Sequence, residues 1–175
     1  MRRRQFIIAA PAVSLALAGC DAAEVKTFAT LGDARRALES LATSKVQMQG
    51  TWKLGAVLEH LAQSVEYSLA GFPEMKSAAF RGTLGAAAWT VFSARGAMSH
   101  SLSEPIPGAP ALNQALPQEQ GLARLLKALH DFEKHPGALK PHFAYGDLSK
   151  ADYTRAHLMH LANHWQEIVV QPTKA

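Results

Sequence analysis

Eight histidines stand among the 175 residues, and three share the run Ala156-His157-Leu158-Met159-His160-Leu161-Ala162-Asn163-His164-Trp165. On a helix, at roughly 100° per residue, His157, His160 and His164 fall within about 60° of one another, with Tyr153 in the same arc. Leu158, Leu161, Trp165 and Ile168 form the adjacent apolar stripe, so the imidazoles sit on the shoulder of the buried face. The i, i+4 pair His160 and His164 can reach one metal ion from a single helix, as in zinc-binding His-x-x-x-His helices. Two imidazoles do not complete a site, and the third must come from another helix. His60 is the best candidate, beside an apolar stripe on the side it shares with Ser64. His157 is an alternative ligand in place of His160 or His164, because i, i+3 positions also meet. Three neutral imidazoles leave positions open to water or substrate, as catalytic sites do. By motif alone, such a pair is more often two ordinary polar residues.

Three imidazoles suit zinc, nickel, iron or copper by ligand type. A His-bound divalent ion lowers the pKa of its water toward about 7, or activates a thiolate. Tyr145, His142 and Tyr153 are the candidates for proton transfer or substrate positioning. No Asp or Glu falls at an obvious general-base spacing within the run; Glu167, three residues past His164, is a candidate for supporting a ligand from outside. His100 and His142 lie in loops and are read either way. His130 and His135 read as surface residues, and Trp52 and Trp165 as core or interface aromatics. There is no Gly-rich phosphate loop and no Gly-x-Ser-x-Gly elbow.

These side chains need helices to position them, and the pattern is helical nearly throughout. Leu31, Ala34, Leu38 and Leu41 predict a helix over Leu31–Thr43. A second runs from an N-cap at Thr51 to just before Gly71-Phe72-Pro73, with Leu54, Val57, Leu58, Leu61, Val65 and Leu69 inward. A third begins at Ser77 or Phe80 and stops at Arg95, before Gly96. Four prolines make Ser99–Pro117 a long loop, a length often tied to function. A fourth helix covers Gln118–Lys134. After the loop Ala138–Leu148, a capping box of Ser149 and Asp152 starts the last helix, Lys150–Val169. No stretch alternates like a strand. The expected fold is all-α, an up-and-down antiparallel four-helix bundle, with Leu31–Thr43 a member or an added N-terminal helix.

The N-terminus reads as an export signal. Arg2, Arg3 and Arg4 precede the apolar stretch Phe6–Ala18, too short to span a bilayer, for which about 20 residues are needed. Arg3-Arg4-Gln5-Phe6-Ile7 resembles a twin-arginine motif, with Arg2 where Ser or Thr is usual. Leu17-Ala18-Gly19-Cys20 matches a lipoprotein cleavage site. The expected organisation is a signal over 1–19, a linker over 20–30 after lipidated Cys20, and a bundle over 31–170. The product is a periplasmic domain anchored to the membrane by lipid, and Asp21 resembles an inner-membrane retention signal. Cys20 is the only cysteine, so no disulfide can form. The formal charge of +4 comes largely from the three signal arginines, and without them it is +1. With no basic face, nucleic acid is not an expected partner. The expected partners are the membrane, an unidentified small-molecule substrate and, for a homodimer, a second copy of the chain.

The segment Trp52-Lys53-Leu54-Gly55-Ala56-Val57-Leu58-Glu59-His60-Leu61-Ala62-Gln63-Ser64, with the closing His160-x-x-x-His164 helix, resembles the DinB-like superfamily. That resemblance implies a four-helix bundle with a divalent metal held by His60, His160 and His164. Three further runs resemble one subfamily, domain of unknown function 1569. They are Phe92-Ser93-Ala94-Arg95-Gly96-Ala97-Met98, Pro105-Ile106-Pro107-Gly108-Ala109-Pro110-Ala111-Leu112 and Pro141-His142-Phe143-Ala144-Tyr145-Gly146. The resemblance covers roughly 31–168. Better-known members of the superfamily are metal-dependent thiol transferases and isomerases, whose cytoplasmic cosubstrates an exported domain would not readily meet. The reaction expected here is therefore only a metal-dependent hydrolysis or transfer. The alternatives are a non-catalytic metal-binding or partner-docking lipoprotein and a bundle without metal.

Overall fold

The computed structural model describes residues 27–171. The predicted signal peptide, Cys20 and the first part of the linker lie outside the described residues. Among those described, the chain is mostly helical, with five helices and one two-stranded sheet, an architecture compatible with a helical bundle. The helices are α1 (Leu31–Leu41), α2 (Leu54–Ala70), a composite α3 (Ala78–Phe80, a π turn Arg81–Gly85, then Ala86–Arg95), α4 (Gln118–Lys134) and α5 (Lys150–Trp165). None is long and apolar enough to cross a membrane.

Local chemistry sets most boundaries. Thr30 caps α1 in a reciprocal box: its hydroxyl accepts from the Asp33 backbone N–H and the Asp33 carboxylate accepts from the Thr30 N–H. Helix α2 begins two residues later than the Thr51 cap predicts, after Lys53, which offers no side-chain cap. Ser77 caps α3, which stops at Gly96 in the left-handed region, φ 64°. At α5 only half of the predicted box forms. The Ser149 hydroxyl accepts from the Asp152 N–H, but the Asp152 carboxylate takes a hydrogen bond from that same hydroxyl.

The helical expectation holds with one correction: two short strands join the helices among the described residues, where β1 (Lys45–Met48) pairs antiparallel with β2 (Ile168–Gln171), Lys45 opposite Gln171 and Met48 opposite Ile168. The last helix therefore ends at Trp165 and does not continue to Val169. The β-branched run Ile168-Val169-Val170 favours a strand once a partner is available. That partner lies some 120 residues away in sequence, beyond the reach of any local pattern.

The core runs through Leu38 and Leu41 of α1, Val57, Leu58 and Leu61 of α2, Leu125, Leu129 and Phe132 of α4, and Tyr153, Leu158 and Leu161 of α5. Helices α2 and α4 form the most extensive helix pair. Outside it, Arg124 bridges Glu59 and Glu66, at 3.0 and 2.7 Å.

Candidate metal centre and adjoining cavity

Helix α2 presents His60, Ser64 and Ser68 one turn apart, and α5 answers in reverse order. His60 Nε2 lies 3.2 Å from His160 Nε2, Ser64 Oγ lies 3.3 Å from His160 Nδ1, and Ser68 Oγ lies 3.3 Å from His157 Nε2. Rising numbers on α2 meet falling numbers on α5, so the two helices run antiparallel along a polar seam. Apolar residues flank it on both helices.

At one end of the seam His60, His160 and His164 converge, with one ligand atom from each lying within 4.8 Å of the others. Their ring centroids are 5.0 Å apart in all three pairs. Burial above all, then the neighbouring His100, holds His60 down at about 4; burial, then His60 and His100, holds His164 at about 2. His160 is also held well below 6.5, first by burial. All three are neutral at ordinary pH, so each offers a lone pair.

These residues fit a metal on the structure's own terms. Buried His60 Nδ1 and both nitrogens of His164 have no hydrogen-bond partner, although buried polar atoms normally find one. Tetrahedral zinc–nitrogen bonds of about 2.0–2.1 Å put two ligand nitrogens roughly 3.3 Å apart, close to the 3.2 Å between His60 and His160. Trp52 closes the back of the cluster. Its indole stacks on His164 at 6.2 Å and 9°, and lies 5.1 Å from the His60 ring.

In front of the cluster is a cavity of about 350 Å³, reached by His60 and His160. Its walls come from the start of α3 (Phe80), Met98 just past the end of α3, the proline loop (Ile106) and the 142–145 loop. The proline loop is tied down: the Glu59 carboxylate accepts from the Asn113 N–H at 2.8 Å. The 142–145 loop is pressed onto α3 at Gly85, where a Cβ would lie 1.9 Å from the Ala144 carbonyl oxygen. Only glycine permits that approach.

Of the other residues singled out in the sequence, His142 and Tyr145 line the cavity, stacked on each other at 4.3 Å and 6°. Burial takes Tyr145 up to about 12 and, with a smaller contribution from His157, takes His142 down to about 3. Tyr153 does not face the cavity; its buried hydroxyl donates to the Lys140 carbonyl at 2.7 Å. The Ser68 hydroxyl already donates to the Val65 carbonyl, so it accepts from His157 Nε2–H. That bond directs His157 away from the three-histidine cluster. His130 is exposed and His135 half-buried. His100, left open by the sequence, packs 4.9 Å from His160 and 5.6 Å from His164 between ring centroids. Its position follows from the path of the proline loop, which no residue spacing encodes.

No curated protein and no solved structure matches this chain. A family model does: the description "Protein of unknown function (DUF1569)" fits residues 22–171, and the chain belongs to that family.

Proposed function

We propose that this chain is an exported, lipid-anchored metalloprotein that acts on a small molecule in the cavity, as a metal-dependent hydrolase or transferase. His60, His160 and His164 hold a divalent ion such as zinc, nickel or iron, and the cavity side of the ion stays open to the ligand. One observation carries the reading: buried, neutral imidazole nitrogens without partners converge beside a cavity of ligand size. The chemistry the ion would supply is Lewis acidity. The chain's own residues do the rest. Ser64 takes the outer N–H of His160, Trp52 excludes water from behind, and His142 and Tyr145 form the wall against which a substrate rests.

The fold reading that goes with this is a DinB-like up-and-down four-helix bundle of α2 to α5, with α1 added at the N-terminus. The antiparallel seam between α2 and α5 supports it. Export rests on the twin-arginine pattern and on Cys20 with its small preceding residues. These make the periplasmic face of a membrane the place of action, with lipid on Cys20 as anchor. The export reading is tested by fractionation and fatty-acid labelling of the full chain, both of which Cys20→Ala should abolish as membrane retention and label.

Elemental analysis of natively purified protein tests the centre. About one equivalent of metal is expected, lost in His160→Ala; metal retained by His160→Ala, or never found, removes the proposal. His100 favours a second reading, a non-catalytic metal-holding protein. A fourth imidazole close to His160 and His164 could fill the open position and close the shell.

A further inference from the structure

His142 is nine-tenths buried, lines the cavity, and belongs to neither the three-histidine cluster nor the α2–α5 seam. Its Nδ1 accepts two backbone hydrogen bonds, from the N–H groups of Ala144 and Tyr145, each at 3.2 Å. The backbone of His142 in turn exchanges hydrogen bonds with Gly146, 2.7 Å from its N–H and 3.1 Å to its carbonyl. The ring is held between Tyr145, 4.3 Å away, and Phe72 and Phe143, at 5.0 and 4.7 Å.

Two N–H donors aimed at Nδ1 exclude a proton there. The proton of the neutral ring is therefore on Nε2, since the hydrogen bond at one nitrogen fixes the tautomer at the other. Among the described residues no side chain or carbonyl accepts from that Nε2–H. The rest of the cavity sets the ligand's character. Phe80, Met98, Ile106 and Phe143 make the wall largely apolar, and the two charged residues on it, Lys76 and Glu104, are of opposite sign. A wall of that kind with one fixed donor selects a neutral, mostly apolar molecule carrying one acceptor oxygen.

We infer that His142 is a fixed hydrogen-bond donor, not a proton carrier, and that its Nε2–H reads a carbonyl-type oxygen on a small, neutral, largely apolar ligand in the cavity. The inference rests on the reading of this cavity as a ligand site but not on the metal.

Nitrogen-15 NMR of histidine-labelled protein tests the tautomer directly. The expected result at pH 7 is a His142 ring protonated on Nε2 alone. A proton on Nδ1, or an imidazolium, overturns the inference whatever the metal content. Ligand selection is tested with acetophenone and 2-phenylpropene, which differ by a carbonyl oxygen in place of a methylene group, on metal-free protein so that no metal–oxygen bond contributes. Acetophenone should bind about fivefold more tightly, the scale of one net hydrogen bond. In His142→Asn the side-chain oxygen can still accept from Ala144 and Tyr145, so the loop is kept; the amide NH2 then takes the place of the ring Cδ2 and stops short of Nε2, so the donor at that reach is lost and the preference should vanish. Equal binding of the two probes to the native chain, or a preference that survives in His142→Asn, overturns the inference. Loss of metal in His160→Ala is a separate readout, so failure of the metal proposal and failure of this one are distinguishable.

Discussion

His164 Nδ1 and Glu167 Oε2 face each other across 3.9 Å, and neither atom has a hydrogen-bond partner. Burial raises the Glu167 carboxyl, and neutral His164 supplies no countercharge to offset it. A His164 that gave its other nitrogen to a metal would carry a proton on Nδ1 and turn this gap into a charge-assisted pair. Carboxylates in that position commonly hold metal-binding histidines in place.

Glu167→Gln is therefore expected to weaken metal binding about 10- to 100-fold, with the fold intact. Competition with a chelator of known affinity measures it, and far-ultraviolet circular dichroism checks the fold. Unchanged affinity would make Glu167 a bystander.

Gly50 gives the same relationship a second handle. A Cβ at residue 50 would lie 1.8 Å from Glu167 Oε1, so Gly50→Ala must push the carboxylate aside. The variant touches none of the three histidines, yet it should lose metal affinity in the same direction as Glu167→Gln. The double variant should lose little more than either single one, because both act through one carboxylate.

The i, i+3 spacing of His164 and Glu167 is visible in the sequence, but the reason they meet is not. Read as helix to Val169, the chain would carry Glu167 onward on α5. In fact α5 stops at Trp165, the Gln49 N–H donates to the Glu167 carbonyl at 2.8 Å, and the β1–β2 pair takes over from Ile168. A nonlocal ladder of four residues a side leaves no periodicity long enough to read. The helices were legible because Leu and Val recur at 3.6-residue intervals over several turns. His60, His160 and His164 were legible because each sits at the edge of such a stripe. His100 and the acceptor role of His142 Nδ1 depend on loop paths, which spacing does not encode.

Phe132 tests how far the core beneath the site carries stability. Its ring is fully buried and meets His157 edge-on at 4.9 Å. Phe132→Ala should cost about 3–5 kcal/mol, counting lost transfer and the cavity left behind. Urea unfolding measures it. A loss below about 1 kcal/mol would mean that the core collapses into the space.

Buried neutral histidines make the fold acid-sensitive. His142 and His157 are both held at about 3, mainly by burial, against about 6.5 in an unfolded chain. Above 6.5 both states are neutral and nothing is lost. Between 6.5 and 3 the unfolded chain binds protons that the folded chain refuses, so stability falls as pH falls. The slope is about 1.4 kcal/mol per pH unit for each group, or about 4 kcal/mol for the two together by pH 5. That is a large part of the 5–15 kcal/mol typical of a domain. Urea midpoints at pH 7, 6 and 5 should fall steeply, the more so because His60, His160 and His164 are held down as well, and His157→Gln should lessen the slope by one group's share, about 1.4 kcal/mol per pH unit.

His100 decides between an open and a closed centre. Its Nδ1 donates to the Ser101 carbonyl at 2.8 Å, which leaves the lone pair on Nε2. The Asn163 amide holds the His100 carbonyl at 3.5 Å, keeping the loop beside the cluster. Cobalt is a spectroscopic substitute for zinc, and its visible absorption responds to the number and type of ligands. If the centre is open, His100→Ala leaves that spectrum unchanged, and added acetate shifts it in the native chain and the variant alike. If His100 closes the shell, acetate leaves the native spectrum alone and shifts only the variant's. The open outcome favours catalysis, since a reacting molecule needs a free position on the ion; the closed one favours a protein that holds metal without turning it to chemistry.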